Sequence, residues 1–205
     1  MSYILNKLII LPGILLAISI HEFSHGFVAV KLGDDTPRIQ GRMTLNPLKH
    51  IDPLGFLCLL LVGFGWAKPV IIDPRNFKNP RKDDLLVSIA GPISNFIMAF
   101  IFVVIMKLID MFLPVTDMTQ VIWSVLAGTV QINLVLMVFN LLPIPPLDGH
   151  HIMGDIGGAP VWNFYYKYHE QLRFAILFLV IFNIMGKVIG PIVLFLYRFL
   201  FSIFF

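Results

Sequence analysis

Cysteine and charge are what this chain has least of. Cys58 is the single cysteine in 205 residues, which excludes an intramolecular disulfide and any zinc site built from thiolates. Charged residues make up 13% of the chain and hydrophobic residues 58%, whereas soluble domains carry roughly 25% charge. That imbalance excludes an ordinary soluble domain and marks a multi-spanning membrane protein. The net charge of +3 is no nucleic-acid signal, because much of the positive charge lies in loops between Lys31 and Lys82, beside apolar stretches. Basic loops in that setting are read as orientation signals, and no nucleic-acid partner is expected. A cleavable signal peptide is not expected either, since the first apolar segment is too long and holds candidate chemistry.

What the chain does have is long apolar runs. The first is Tyr3 to Val30, with Lys7 and Glu22 as its only formally charged residues. Further full spans are expected at about 85–109 and 121–142. The stretch 174–205 is expected to be one span plus a terminal helix or hairpin, broken near Gly186-Lys187 and Gly190-Pro191. Gly91-Pro92 should kink the second full span. Leu54 to Ala67 is apolar but too short for the roughly 20 residues a spanning helix needs. Gly55, Gly63 and Gly65 also weaken it as a helix. Lys31, Arg38, Arg42 and Lys49 precede this stretch, and Lys68, Arg75, Lys78, Arg81 and Lys82 follow it. Positive charge on both flanks points to re-entry from the cytoplasmic side. The expected fold is an all-α polytopic membrane protein. It is one domain over 1–205, a bundle of about 4–6 transmembrane helices with a short re-entrant or β-hairpin membrane segment.

Inside the first run stands His21-Glu22-Phe23-Ser24-His25. Residues four apart share a helix face, so His21 and His25 can aim two imidazoles at one metal ion. Glu22 beside them is placed to activate a water held by that metal. A charged side chain in hydrocarbon costs roughly 2.5–3.5 kcal/mol or more, which argues that Glu22 has a use. Catalytic zinc sites take three protein ligands and leave a fourth position open. His25 lies roughly 9 Å inside the cytoplasmic end of its span at 1.5 Å per residue. Asp148, in a Pro-rich segment past the third full span, approaches that depth from the same side and is the best third candidate. Read alone, its Asp-Gly pair is an ordinary turn. Asn140 near a span end could stabilise an oxyanion, pair with substrate backbone, or bond another helix. Asn95 could satisfy backbone groups freed by Gly91-Pro92.

HEFSHG in one span, GPISN on a second and NLLPIPPLDG after a third resemble the site-2 protease family of intramembrane zinc metalloproteases. The Asn-Pro-rich and GWAKPV segments between them fit as well, so the resemblance covers roughly residues 15 to 155. It implies that His21, His25 and Asp148 hold one Zn2+ and that Glu22 is catalytic base and acid. Asn140 and Pro146 match positions implicated in holding substrate, and Asn95 falls near the active site. The implied partners are membrane-anchored protein substrates within the lipid bilayer of a prokaryotic cell membrane, with the active site nearer the cytoplasm. No PDZ-like domain is recognisable. After Asp148 the chain departs from the common pattern with Gly149-His150-His151, and these histidines are expected to be solvated loop residues. His50 and His169, in polar loops, carry no signal. Two rivals remain open: a membrane metal-ion transporter or metal-binding protein, and a proteolytically inactive scaffold.

Overall fold

The computed structural model describes residues 3–63 and 65–205, and the side chains of all of these except 3–9 and 62. Helix α1 spans Tyr3–Lys31 and carries Pro12 without a break in assignment. A short helix α2, Thr36–Ile39, follows it. Asp34 organises that loop: fully buried, it accepts from Thr36 N and Oγ1, Asn76 Nδ2 and Asp73 N.

Helix α3, Pro53–Val62, starts where Asp52 accepts from Gly55 N and ends on Gly63 at φ 86°. The short apolar stretch is therefore mostly helix, and no strand is assigned among the described residues. The β-hairpin expectation fails here, because its glycines serve close packing rather than weakening a helix. A Cβ on Gly55 would stand 3.0 Å from the Trp66 ring, and one on Gly65 would stand 2.8 Å from Leu59 Cβ. The return is real, however. An isolated antiparallel bridge joins Ile51 to Ala67, and Lys68 N donates to His50 O at 2.8 Å, so the segment closes on itself.

Helix α4, Pro80–Phe112, stays helical through Pro92, so the expected kink does not interrupt it. Helix α5, Asp117–Asn140, opens with a capping box between Thr116 and Thr119. Helices α6 (Asp148–Gly157), α7 (Ala159–Ile181) and α8 (Ile184–Phe204) complete the chain. The polar stretch after Asp148 is thus helical rather than loop. The C-terminal break falls at Phe182 and Asn183, where Asn183 adopts φ 53°, while Gly186, Gly190 and Pro191 lie inside α8. Asn is among the few non-glycine residues that tolerate that region.

Four described helices are long and apolar enough to cross a membrane: Ile10–Lys31, Pro80–Phe112, Asp117–Asn140 and Ile184–Phe204. The inner faces of α4, α5 and α8 meet in a core of Val103, Met106, Leu134, Ile189 and Leu200, while Phe100, Ile101, Phe195 and Phe199 are exposed. An apolar exterior over an apolar core is what a bilayer-embedded bundle requires.

Candidate metal centre

Three short-range facts assemble the site. The i, i+4 spacing on α1 puts His21 and His25 on one face, with ring centroids 4.6 Å apart and planes crossing at 82°. Both are buried, at 6% and 8% exposure. Pro145-Pro146, joined by a cis peptide, lies in the turn between α5 and α6. Asp148 then opens α6, where an acidic side chain suits the positive end of the helix dipole. Its Oδ2 lies 3.2 Å from His21 Nε2 and 3.4 Å from His25 Nε2. The Asp-Gly pair is therefore a helix start and not a free turn. A Cβ on Gly149 would overlap the carbonyls of Leu141 and Leu142, so the second residue of α6 must be glycine for it to sit that close to the end of α5.

The hydrogen bonds behind the imidazoles decide what they can do. Asn95 Nδ2 donates to Ala17 O (3.2 Å) and Asn133 Oδ1 (3.0 Å), and Asn133 Nδ2 donates to Thr129 O (2.8 Å). Asn95 must therefore present Oδ1 to His21 Nδ1, at 2.7 Å. His25 Nδ1 faces the carbonyl of Val87 at 2.8 Å. Both partners accept only, so both Nδ1 atoms carry the proton in the neutral rings. The two Nε2 atoms are then bare lone pairs, 3.0 Å apart. Asp148 Oδ2, which is buried and finds no hydrogen bond, adds another. Three acceptors converge with no proton among them, all within 4.8 Å of one another. That donor set fits a divalent metal, and the partners behind the rings are of the kind that fix ligand tautomers.

Gly91 makes room for the pair. A Cβ there would stand 2.6 Å from Cε1 of both imidazoles. Glu22, half-buried on the same helix, accepts from Val70 N at 2.8 Å. Val70 lies in the non-helical stretch that follows the Ile51–Ala67 bridge, so the returning segment holds the candidate base. Beside the triad lies an apolar cavity of about 710 Å³, lined among others by Ile18, Leu59, Trp66 and Leu136. The triad is not in its wall. Ile18 precedes His21 by three residues, about 4.5 Å of helix rise.

Residues 107–182 match the pattern of Peptidase family M50. The chain is 46% identical over 151 residues to "Putative zinc metalloprotease YwhC" of Bacillus subtilis, covering 70% of this chain and 66% of that relative. The chain belongs to peptidase family M50, the site-2 protease family. It is also 32% identical over 155 residues to Rip2 of Mycolicibacterium smegmatis, named in the same words, covering 73% of this chain and 58% of the relative. A third relative so named, MJ0611 of Methanocaldococcus jannaschii, is 32% identical over 101 residues, 49% of each chain. The M50 chain thus spans about two thirds or less of the length of these relatives. No solved structure matches it.

Among the residues singled out from the sequence, the M50 fold gathers His21, His25 and Asp148, sets Glu22 beside them and places Asn95 behind His21. Asn140 is half-buried and donates to Leu136 O, on its own helix, at 3.0 Å. Pro146 is exposed. Neither hydrogen-bonds the triad. His150 and His151 lie in helix α6 rather than a loop; both are half-buried, and the His151 side chain keeps 42% exposure. His150 packs against His151 (4.2 Å between centroids), Tyr165 (5.5 Å) and Trp162 (6.1 Å). His151 Nδ1 lies 3.0 Å from Asp84 Oδ2. His50, in a loop, is fully buried. Sequence reading missed Asn133, Gly91, Gly149 and Val70. Gly91 and Gly149 were visible only as a kink position and a turn residue, and Asn133 only as an amide in an apolar run two turns before Asn140.

Proposed function

We propose that this chain is an intramembrane zinc metalloprotease that hydrolyses peptide bonds in or near transmembrane segments of membrane protein substrates. The observation that carries it is the convergence of His21 Nε2, His25 Nε2 and Asp148 Oδ2 as three unprotonated acceptors, with Glu22 adjacent. The names of the relatives support zinc as the metal. Zinc held there would supply Lewis acidity, polarising the scissile carbonyl and acidifying the attacking water.

The remaining steps belong to the protein. Glu22 removes a proton from the water and returns it to the leaving amine. Asn95 keeps His21 in its ligating tautomer, and Val87 O does the same for His25. Asn140 and Pro146 flank the approach to Asp148 and are proposed to hold substrate. Substrate entering as a helix must unwind first, since helical carbonyls are already hydrogen-bonded. The stretch from Ala67 to Ile72, outside any helix and bridged to Ile51 at its start, is the backbone along which unwound substrate is proposed to add as a strand. Basic residues on both flanks of the closed segment support a site opening toward the cytoplasm of a multi-pass cell-membrane protein.

Glu22→Gln tests the reading. The variant should keep one zinc per chain by elemental analysis and lose at least about 100-fold in cleavage of membrane-anchored substrates, the contribution expected of a positioned base. Full cleavage with Gln at 22 would remove the protease reading. Preserved metal flux across vesicles would favour transport instead.

A further inference from the structure

Asp34 is a carboxylate where the local turn needs only an amide. It is fully buried, just past the end of α1. Its Oδ1 accepts from Thr36 N, Thr36 Oγ1 and Asn76 Nδ2, which closes the loop around α2. An asparagine carries one such oxygen and would serve that purpose. The second oxygen, Oδ2, accepts from the backbone N–H of Asp73 at 2.8 Å, 39 positions along the chain. Burying a full charge is costly unless donors surround it. The extra oxygen therefore marks the bond to the returning chain as the reason for aspartate.

That bond lies three residues from the one that holds Glu22. Val70 N donates to Glu22 Oε2 at 2.8 Å, so the stretch from Val70 to Asp73 is tied down at both ends. Between the ties it rests on α1. A Cβ on Gly26, one turn after Glu22, would stand 3.6 Å from Val70 Cγ1. Ile72 packs against the buried cluster of Ala29, Phe77 and Val87. Three residues of chain span at most about 10 Å, so a shift at Asp73 reaches Val70 with little slack.

Resting on the protease reading above, we propose that Asp34 is a positioning residue for the reaction. It makes no hydrogen bond to His21, His25 or Asp148 and acts through the returning chain. By holding Asp73 N it keeps the Val70 N–H against Glu22 Oε2, which fixes the rotamer of the base and commits that oxygen to the backbone. Oε1 is then the oxygen that takes the proton from the attacking water and returns it to the leaving amine. A displacement of about 1 Å caused from a distance can cost up to ~100-fold in rate. Loss of the Asp34 tie lowers kcat and spares zinc, because Asn95 and Val87 O hold His21 and His25 independently.

The test uses the zinc-loaded full chain in lipid vesicles with a synthetic membrane-spanning peptide that the parent protein cleaves. In Asp34→Asn, three donors against one keep the amide oxygen on Thr36 and Asn76, so only the acceptor for Asp73 N–H is lost. The variant should lower kcat about tenfold, with KM and zinc content unchanged. An ester in place of the Ile72–Asp73 amide removes the same bond with both side chains intact, and should give the same loss even if Asp34→Asn fails to fold. An ester in place of the Pro69–Val70 amide removes the N–H on Glu22. Adding Asp34→Asn to that protein should then cost less than about twofold more, since both changes break one coupled unit. The Val70 amide proton, held downfield by a charged acceptor, should move upfield in ¹⁵N-labelled Asp34→Asn protein and in the Ile72–Asp73 ester. Losses that multiply, a loss carried by KM or zinc content, or an unmoved Val70 amide resonance would overturn the proposal. A Val70 resonance that moves as expected, in a protein whose parent cleaves no membrane span, would overturn the protease reading alone.

Discussion

His21 and His25 are suited to hold a metal because each has lost the freedom to choose its tautomer. A neutral imidazole can donate from either nitrogen, and a ring protonated at Nε2 could not bind a cation through that atom. The chain Thr129 O, Asn133, Asn95, His21 removes that choice through three successive amide and carbonyl contacts. Asn95→Leu should therefore weaken zinc binding about 10–100-fold, as expected for loss of a partner behind a ligand, measured by chelator competition. Gly91→Ala should do at least as much by a different route, since its Cβ would displace both rings. If Asn95→Leu leaves zinc affinity unchanged, the tautomer argument is wrong. Neither dependence was legible in the sequence. Asn95 was visible only as a polar residue near a Gly-Pro pair, and its true partners lie 74 and 38 positions away.

At the scale of elements, α6 decides whether Asp148 reaches the histidines. Its C-terminal end is fastened to the start of α4: Arg81 donates to the carbonyls of Asp155 and Ile156, a favourable place for a cation. His151 lies against Asp84 from the same side. Asp155 is buried near Asp84, and burial with that like charge pushes its carboxyl up to about 6, His151 and Trp162 opposing the shift. The folded chain therefore holds this proton more tightly than the unfolded chain. Its contribution to stability falls as pH rises from about 4 to about 6 and stays low above that. Asp155→Asn should remove this loss. Thermal unfolding in detergent should show the variant gaining more over the parent at pH 7 than at pH 4.5, and an equal gain at both would refute the assignment. Elements also show where sequence reading misjudged glycine. Propensity makes Gly55, Gly63 and Gly65 weaken a helix, whereas Gly55 and Gly65 let α3 and the returning chain touch and Gly63 ends α3.

The whole molecule divides into two regions with different chemistry. Met106, Leu134 and Leu200 form an apolar core where α4, α5 and α8 meet, while polar contacts concentrate where α1, α4 and α6 converge. The metal joins the second region, because three unprotonated acceptors repel one another without a cation. Removing zinc should thus destabilise the fold as well as silence it. At free zinc 100 times Kd the linkage is worth about 2.7 kcal/mol, or roughly 5–10 °C at about 2–4 °C per kcal/mol. Melting with and without a chelator checks this; no change in Tm would mean that the triad does not hold the ion in the folded state.

From sequence alone came the membrane bundle, the closed excursion between basic flanks, and the pair of histidines with Glu22. These are local properties: apolar run length, charge placement and the 3.6-residue period act through neighbours in the chain. Asp148 could be nominated because topology constrains depth and side, which are coarse enough to count in residues. The tertiary structure alone decided which protons the imidazoles carry, why Gly91 and Gly149 lack side chains, and that His50 is buried. Each of these depends on atoms brought within about 3 Å from distant parts of the chain, a distance that run lengths and periodicity cannot specify.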